Sequence, residues 1–157
     1  MSTARTMPGG FADRTTLEIG PGGRPLCRWC NLEILARRRV TFCSDFCVHQ
    51  WKLRTDPGYV REQVLARDRG VCALCRVDTT RAFAEMKRAR GVHRIKLLER
   101  WGWKKLSRRS LWDADHILPV VEGGGECDLD NLRTLCVICH RQVTAELRRK
   151  LAANARA

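Results

Sequence analysis

The chain has 157 residues, nine of them cysteine, and carries 30 Lys plus Arg against 17 Asp plus Glu, a formal net charge of +13. That length suits one domain or two small ones, and no apolar run approaches the ~18 residues of a membrane span. No secretory leader or amphipathic anchor is read, which sets aside a disulfide framework and a membrane partner. The expectation is an intracellular protein (cytoplasm or nucleoid, if bacterial), monomeric or weakly dimeric, whose partner is a polyanion, nucleic acid before any other.

Residues 1–23 are rich in Gly, Pro, Ser and Thr and poor in large apolar groups, so a flexible arm is expected there. A small zinc finger is expected over 24–55. Cys27 and Cys30 form one Cys-x-x-Cys knuckle, and Cys43 and Cys47 follow after twelve residues. Such spacing lets short loops place four thiolates on one tetrahedral ion. Ser44 or Asp45 can cap a short helix that carries Cys47, and His49 is an alternative fourth ligand to Cys47. The run Arg37-Arg38-Arg39 tilts this finger toward phosphate contact as well as packing.

A second domain is expected over 56–157. Thr55 or Asp56 can cap a helix that starts at Pro57 and ends at Gly70, with Val60, Val64 and Leu65 as its buried stripe. Cys72 and Cys75 come next. From Thr80 to about Leu106 the pattern is helical with a break near Gly91. Between Arg81 and Ser110 there are eleven Lys or Arg against two Glu, a basic helical insertion at about 80–110 suited to tracking a phosphate backbone. The tryptophans Trp101, Trp103 and Trp112 are expected in the core rather than as stacking platforms for bases. Ser110–Val121 suits a strand, interrupted or at an edge because of Pro119. The run Glu122-Gly-Gly-Gly-Glu126 is a turn, and Asp128 or Asp130 can cap a last helix carrying "NLRTLCVICHRQVTAELRRKLAA". The resulting order is strand, turn, strand, helix, an α+β unit. Cys136 and Cys139 complete a second set of four with Cys72 and Cys75, which leaves Cys127 and His93 without a role beyond packing or surface.

The segment from Leu111 to Gln142 resembles the HNH endonucleases, whose core is a ββα-metal unit. His116 is followed by fourteen residues, then Asn131, then eight, then His140; "DHILPV", the glycine run, "NLRTLC" and "CxxCH" stand where that family has them. The resemblance covers about residues 57–150, and Cys72, Cys75, Cys136 and Cys139 match the structural zinc of many members. It implies His116 as general base, Asp115 and His140 as ligands of one catalytic divalent ion, and Asn131 as a brace for the His116 loop. It also implies cleavage of DNA, duplex or branched, to 5′-phosphate and 3′-hydroxyl ends. The chemistry suits these residue types: a neutral imidazole is a base near pH 7, and a cation stabilises charge on the phosphoryl group and the departing oxygen. Few protein ligands suit Mg²⁺ or Mn²⁺, while a His ligand keeps Ni²⁺ and Zn²⁺ open. One departure stands out. Many members have Lys three residues after the last His, and here that position is Val143, with Thr144 retained; Arg141 or Arg148 is left to supply any phosphate contact. The rival reading is a non-catalytic double-zinc adaptor that binds nucleic acid, and a cysteine redox protein ranks third.

Overall fold

The computed structural model describes residues 16–125 and 127–155. The chain divides into two compact units, residues 1–57 and 58–157. Of the arm expected over 1–23, residues 1–15 lie outside the described residues. Residues 16–23 fold back on the finger. Leu26 donates its amide to the Glu18 carbonyl at 2.8 Å, Ile19 bridges to Pro25, and the Gly22 amide donates to the Glu33 carboxylate. The turn rests on Gly23 at φ 74°, a backbone state that glycine adopts without strain.

In the first unit the knuckle closes when Asn31, at φ 57°, donates its amide to the Cys27 carbonyl at 2.9 Å. Helix α1 (Asp45–Thr55) starts at Ser44, whose hydroxyl accepts the Cys47 amide at 3.2 Å. That cap explains why Cys47 sits in the first turn, aimed at the other thiols. The apolar centre is only Cys27, Ile34 and Cys47. Arg28 stacks 4.5 Å from the Trp51 ring and Arg54 4.4 Å from the Trp29 ring. A centre this small needs a staple, and the four thiols are its candidate.

The second unit holds α2 (Pro57–Asp68), α3 (Thr79–Arg88), α4 (Gly91–Arg100), β1 (Trp112–His116), β2 (Leu132–Cys136) and α5 (Val137–Asn154). Asp78 caps α3 by accepting the Arg81 amide, and the basic stretch breaks between α3 and α4 as the sequence indicates. Strands β1 and β2 pair antiparallel, with Trp112 opposite Cys136, Asp115 opposite Arg133 and His116 opposite Leu132. The last helix expected from Asn131 onward starts instead at Val137, because Leu132–Cys136 is strand. Leu132 and Thr134 turn inward every second residue, a strand period that the helical reading overlooked.

Alternation also sorts the ribbon's faces. Trp112, Ala114 and Leu132 pack with Val60 and Val64 of α2. Asp113, Asp115, Arg133 and Leu135 therefore share the opposite side. The larger core joins Met86, Leu98, Trp101, Leu111 and Leu135 to Cys72, Cys136 and Cys139. Trp101 and Trp112 are each 5% exposed, so these tryptophans serve packing. Cys127 packs beside Val64 and Leu132, and His93 is exposed, 3.5 Å from Glu85.

One polar clasp ties α2 to β2. Arg67 donates to the Leu129 and Leu132 carbonyls, both at 2.6 Å, and to Asp68 at 2.7 Å. Asp68 in turn accepts the Thr134 amide at 3.0 Å. Arg67 holds the Asp68 carboxyl below its usual range, and the Thr134 hydrogen bonds add to that against the opposing effect of burial. Asp68→Ala should cost about 1.5–3 kcal/mol, the usual contribution of a hydrogen bond to a charged group. Denaturant unfolding of the metal-loaded protein at neutral pH measures it, and a loss under about 0.5 kcal/mol, the scatter of ordinary surface substitutions, would show the clasp to be idle.

Candidate active site and metal centres

The nine thiols sort as expected. Cys27, Cys30, Cys43 and Cys47 form one group and Cys72, Cys75, Cys136 and Cys139 another, the ligand atoms in each lying within 4.8 Å of one another. Sulfur–sulfur distances of 3.6 Å (Cys30–Cys43), 3.3 Å (Cys43–Cys47) and 3.7 Å (Cys75–Cys136) are far from a disulfide bond of about 2.05 Å. They lie near the ~3.8 Å edge of a tetrahedron built on Zn–S bonds of about 2.3 Å. Four thiols suffice in the first group without His49.

The backbone is arranged for thiolate. Burial pushes the Cys27 thiol up, but the amides of Cys30, Cys43 and Trp29 outweigh it and bring the value down to about 6. At Cys72 the amides of Cys136, Cys75 and Leu74 likewise outweigh burial, to about 7. Burial and the neighbouring sulfurs drive Cys139 far the other way. Four thiolates cannot share such a site without a cation, so the donor set fits a bound metal ion, and sulfur donors in tetrahedral array suit zinc.

The second metal set fixes more than a loop. Its last member, Cys139, stands in the first turn of α5 and is followed at once by His140. His140 Nδ1 lies 3.1 Å from Asp113 Oδ2, and Nε2 lies 3.6 Å from Asp115 Oδ1. The two carboxylates come from alternate positions of β1 and so share one face. Asp115 Oδ2 accepts from Arg133 at 3.0 Å. Asp113 is also met by Arg108 and, at 3.7 Å, by Arg61, which itself stacks 4.1 Å from the Trp112 ring. Three arginines thus compensate two carboxylates around one imidazole.

His116, the next residue after Asp115, ends β1 half-buried. Strand alternation turns it away from the Asp115 face. Among the described residues it has no hydrogen-bond or ion-pair partner, whereas both nitrogens of His140 face a carboxylate. Asn131 clasps the loop that follows. Its amide nitrogen donates to the carbonyls of Leu118 (3.1 Å) and Gly124 (3.0 Å), and its side-chain oxygen accepts the Leu118 amide at 2.7 Å. Its own carbonyl accepts the Ile117 amide at 2.8 Å. Gly124 is required here, since a Cβ would stand 1.9 Å from the Leu118 carbonyl oxygen.

Asp113 and Arg133 are the site residues that the sequence reading passed over. The signal for Asp113 was present, because a second carboxylate two positions before Asp115 on a strand must share its face. Val143, where many family members have Lys, packs against the larger core. Neighbouring Arg141 lies 6.0 Å from the Trp103 ring.

Known proteins resemble this chain over the same region. The model of the HNH endonuclease family matches residues 102–146. The mouse DNA annealing helicase and endonuclease ZRANB3 is 38% identical over 144 residues, and the human one 34% over 143. The alignment takes in 79% of this chain but only 14% of the mouse protein. The crystal structure of the human ZRANB3 HNH domain superposes with a TM-score of 0.52 at 34% identity, over 66% of this chain and 98% of that domain.

The Asn131 clasp is open to a direct test. Asn131→Ala and Gly124→Ala should each speed hydrogen exchange at the Leu118 amide by tenfold or more while amides of β2 keep their protection. Equal exchange in parent and variants would mean that the loop is held by something else.

Proposed function

The chain belongs to the HNH endonuclease family, and from that premise we propose that it is a metal-dependent endonuclease acting on DNA. It would hydrolyse a phosphodiester bond and leave 5′-phosphate and 3′-hydroxyl ends. The observation that carries this reading is the unequal treatment of two imidazoles. His140 is gripped between Asp113 and Asp115, as suits a ligand, while His116 has no partner among the described residues, as suits a base.

Asp115 and His140 would hold the catalytic ion. Their facing atoms are 3.6 Å apart, one oxygen of Asp115 is kept by Arg133, and the other is left toward His140. A carboxylate beside an imidazole suits Mg²⁺ or Mn²⁺, and Ni²⁺ or Zn²⁺ also accept it. Such an ion supplies positive charge to the phosphoryl oxygen and the departing 3′ oxygen. The remaining work belongs to the protein. His116 takes a proton from the attacking water. Asn131 keeps the chain after His116 in place, and a base displaced by about 1 Å can cost on the order of 100-fold. Asp113 accepts from Nδ1 of His140, which directs Nε2 outward and fixes the ring.

The two four-cysteine sites are proposed as structural zinc. The excess of Arg and Lys would hold the DNA backbone by displacing its counterions, whatever the base sequence. The ZRANB3 proteins are named as DNA-acting endonucleases, which supports DNA as substrate for the shared domain.

Two measurements test the scheme. His116→Ala should keep the parent's thermal midpoint and DNA affinity but lose at least 100-fold in plasmid nicking with Mg²⁺ or Mn²⁺. Cutting at the parental rate would remove His116 as base, and a parent inert with every divalent ion would leave a non-catalytic DNA-binding adaptor. Asp113→Asn should weaken activation by the metal, raising the Mn²⁺ concentration for half-maximal nicking by about 10–100-fold. An unchanged metal requirement would reduce Asp113 to a partner for Arg61 and Arg108.

A further inference from the structure

A cleft of about 540 Å³ opens in the second unit, lined by Arg67, Asp68, Arg69, Arg76, Asp130 and Arg133 among others. It has room for a nucleotide-sized segment of one strand and is far too small for a duplex. Two of its four arginines are spent. Arg67 is committed to Asp68 and to the Leu129 and Leu132 carbonyls, and Arg133 to Asp115. Arg69 and Arg76 are exposed and have no carboxylate partner among the described residues.

Both of these arginines sit in the left-handed backbone region, at φ 55° and 61°. A side chain there is strained, and glycine or asparagine would fit better. The finger shows the contrast: the residue after its own knuckle, also left-handed, is Asn31. The floor beneath the two guanidiniums is rigid. Ala73 donates its amide to the Thr134 carbonyl at 2.8 Å, Asp68 holds the Thr134 amide, and Cys72 and Cys75 belong to the metal set. Arg133 both lines the cleft and bonds Asp115, so the cleft adjoins the acid–imidazole cluster through one side chain.

We infer that Arg69 and Arg76 form a phosphate subsite, gripping a backbone phosphate of the strand being cut next to the one at Asp115. This rests on the nuclease reading for the identity of the strand. The subsite itself requires only a phosphodiester backbone, two unpaired guanidiniums and a fixed floor. The cost of two strained arginines is offset by placing both charges at the cleft without long, mobile approaches.

The test exploits the strain. In the full zinc-loaded chain carrying His116→Ala, with no other divalent ion added, binding of a fluorescein-labelled single-stranded oligonucleotide is followed by anisotropy across a salt series. Arg69→Gly with Arg76→Gly should lower the slope of log affinity on log salt by about 1.4, two contacts at roughly 0.7 each, and weaken binding several-fold. The thermal midpoint should equal or exceed the parent's, because glycine relaxes both positions. Arg69→Lys with Arg76→Lys should keep most of the slope. If the double glycine variant fails to fold, Arg76→Gly alone should lower the slope by about half as much. A slope and affinity equal to the parent's in a folded glycine variant overturn the subsite. Nicking by the protein with His116 intact is scored separately. A parent that does not cut, with a slope that falls, sinks the nuclease reading and keeps the subsite; a parent that cuts, with an unchanged slope, does the reverse.

Discussion

The tetrathiolate of Cys72, Cys75, Cys136 and Cys139 is the constraint on which the second unit depends. It joins the loop after α2 to the junction of β2 and α5, segments about sixty residues apart in sequence. Loop closure of that length is an entropic cost that local contacts do not offset, and the two-stranded ribbon alone is marginal in water. A bound ion would supply that free energy directly. The thiols also form part of the larger core, since Cys72, Cys136 and Cys139 pack with Met86, Leu111 and Leu135. Metal and hydrophobic burial therefore stabilise the same spot rather than competing for it.

Position follows from that constraint. His140 is one residue past Cys139, so its ring is fixed by the first turn of α5 before any catalytic ion arrives. Arg76 is one residue past Cys75, and Arg69 is three before Cys72. One rigid knot thus sets both the imidazole proposed to hold the ion and the guanidiniums proposed to hold a phosphate. The clasp of Arg67 and Asp68 works in the same direction, locking β2 against α2 at Thr134. Preorganisation of this kind is what a hydrolytic site requires, since groups placed beforehand need not reorganise as charge develops.

Much of this was legible in the chain itself, and the reasons differ by element. Cysteine spacing gave both thiol groups because short knuckles permit few geometries. Ser44 and Asp78 stand where short polar side chains can accept free helix amides. The run from His116 to His140 matched a family pattern whose residues the ribbon and α5 carry. Other features were hidden for physical reasons. Arg67, Arg133 and Asp113 make contacts fixed by tertiary register, and a charge looks solvated until its partner is known. Strand β2 was masked because "NLRTLC" runs straight into a strong helical pattern, and its inward period of two spans only five residues. Residues 16–23 read as an arm by composition, yet a turn with Gly23 in the left-handed region brings Gly22 to Glu33.

The balance of charge explains why the arginines are so many and so differently used. Asp113 and Asp115 stand two residues apart on one strand face, where like charges repel. Arg108 and Arg61 answer the first and Arg133 the second, so the pair can face His140 without a bound cation. A cation arriving at Asp115 would meet a carboxylate already shared with Arg133, which moderates affinity and keeps the ion's remaining positions for water and phosphate. Arg133 is therefore the hinge between two demands. It must leave one oxygen of Asp115 toward His140, and it must present positive charge to the cleft beside it. Lysine would meet the second demand but not the first as well, because only a planar guanidinium can hold a carboxylate oxygen through two nitrogens and still turn an edge outward.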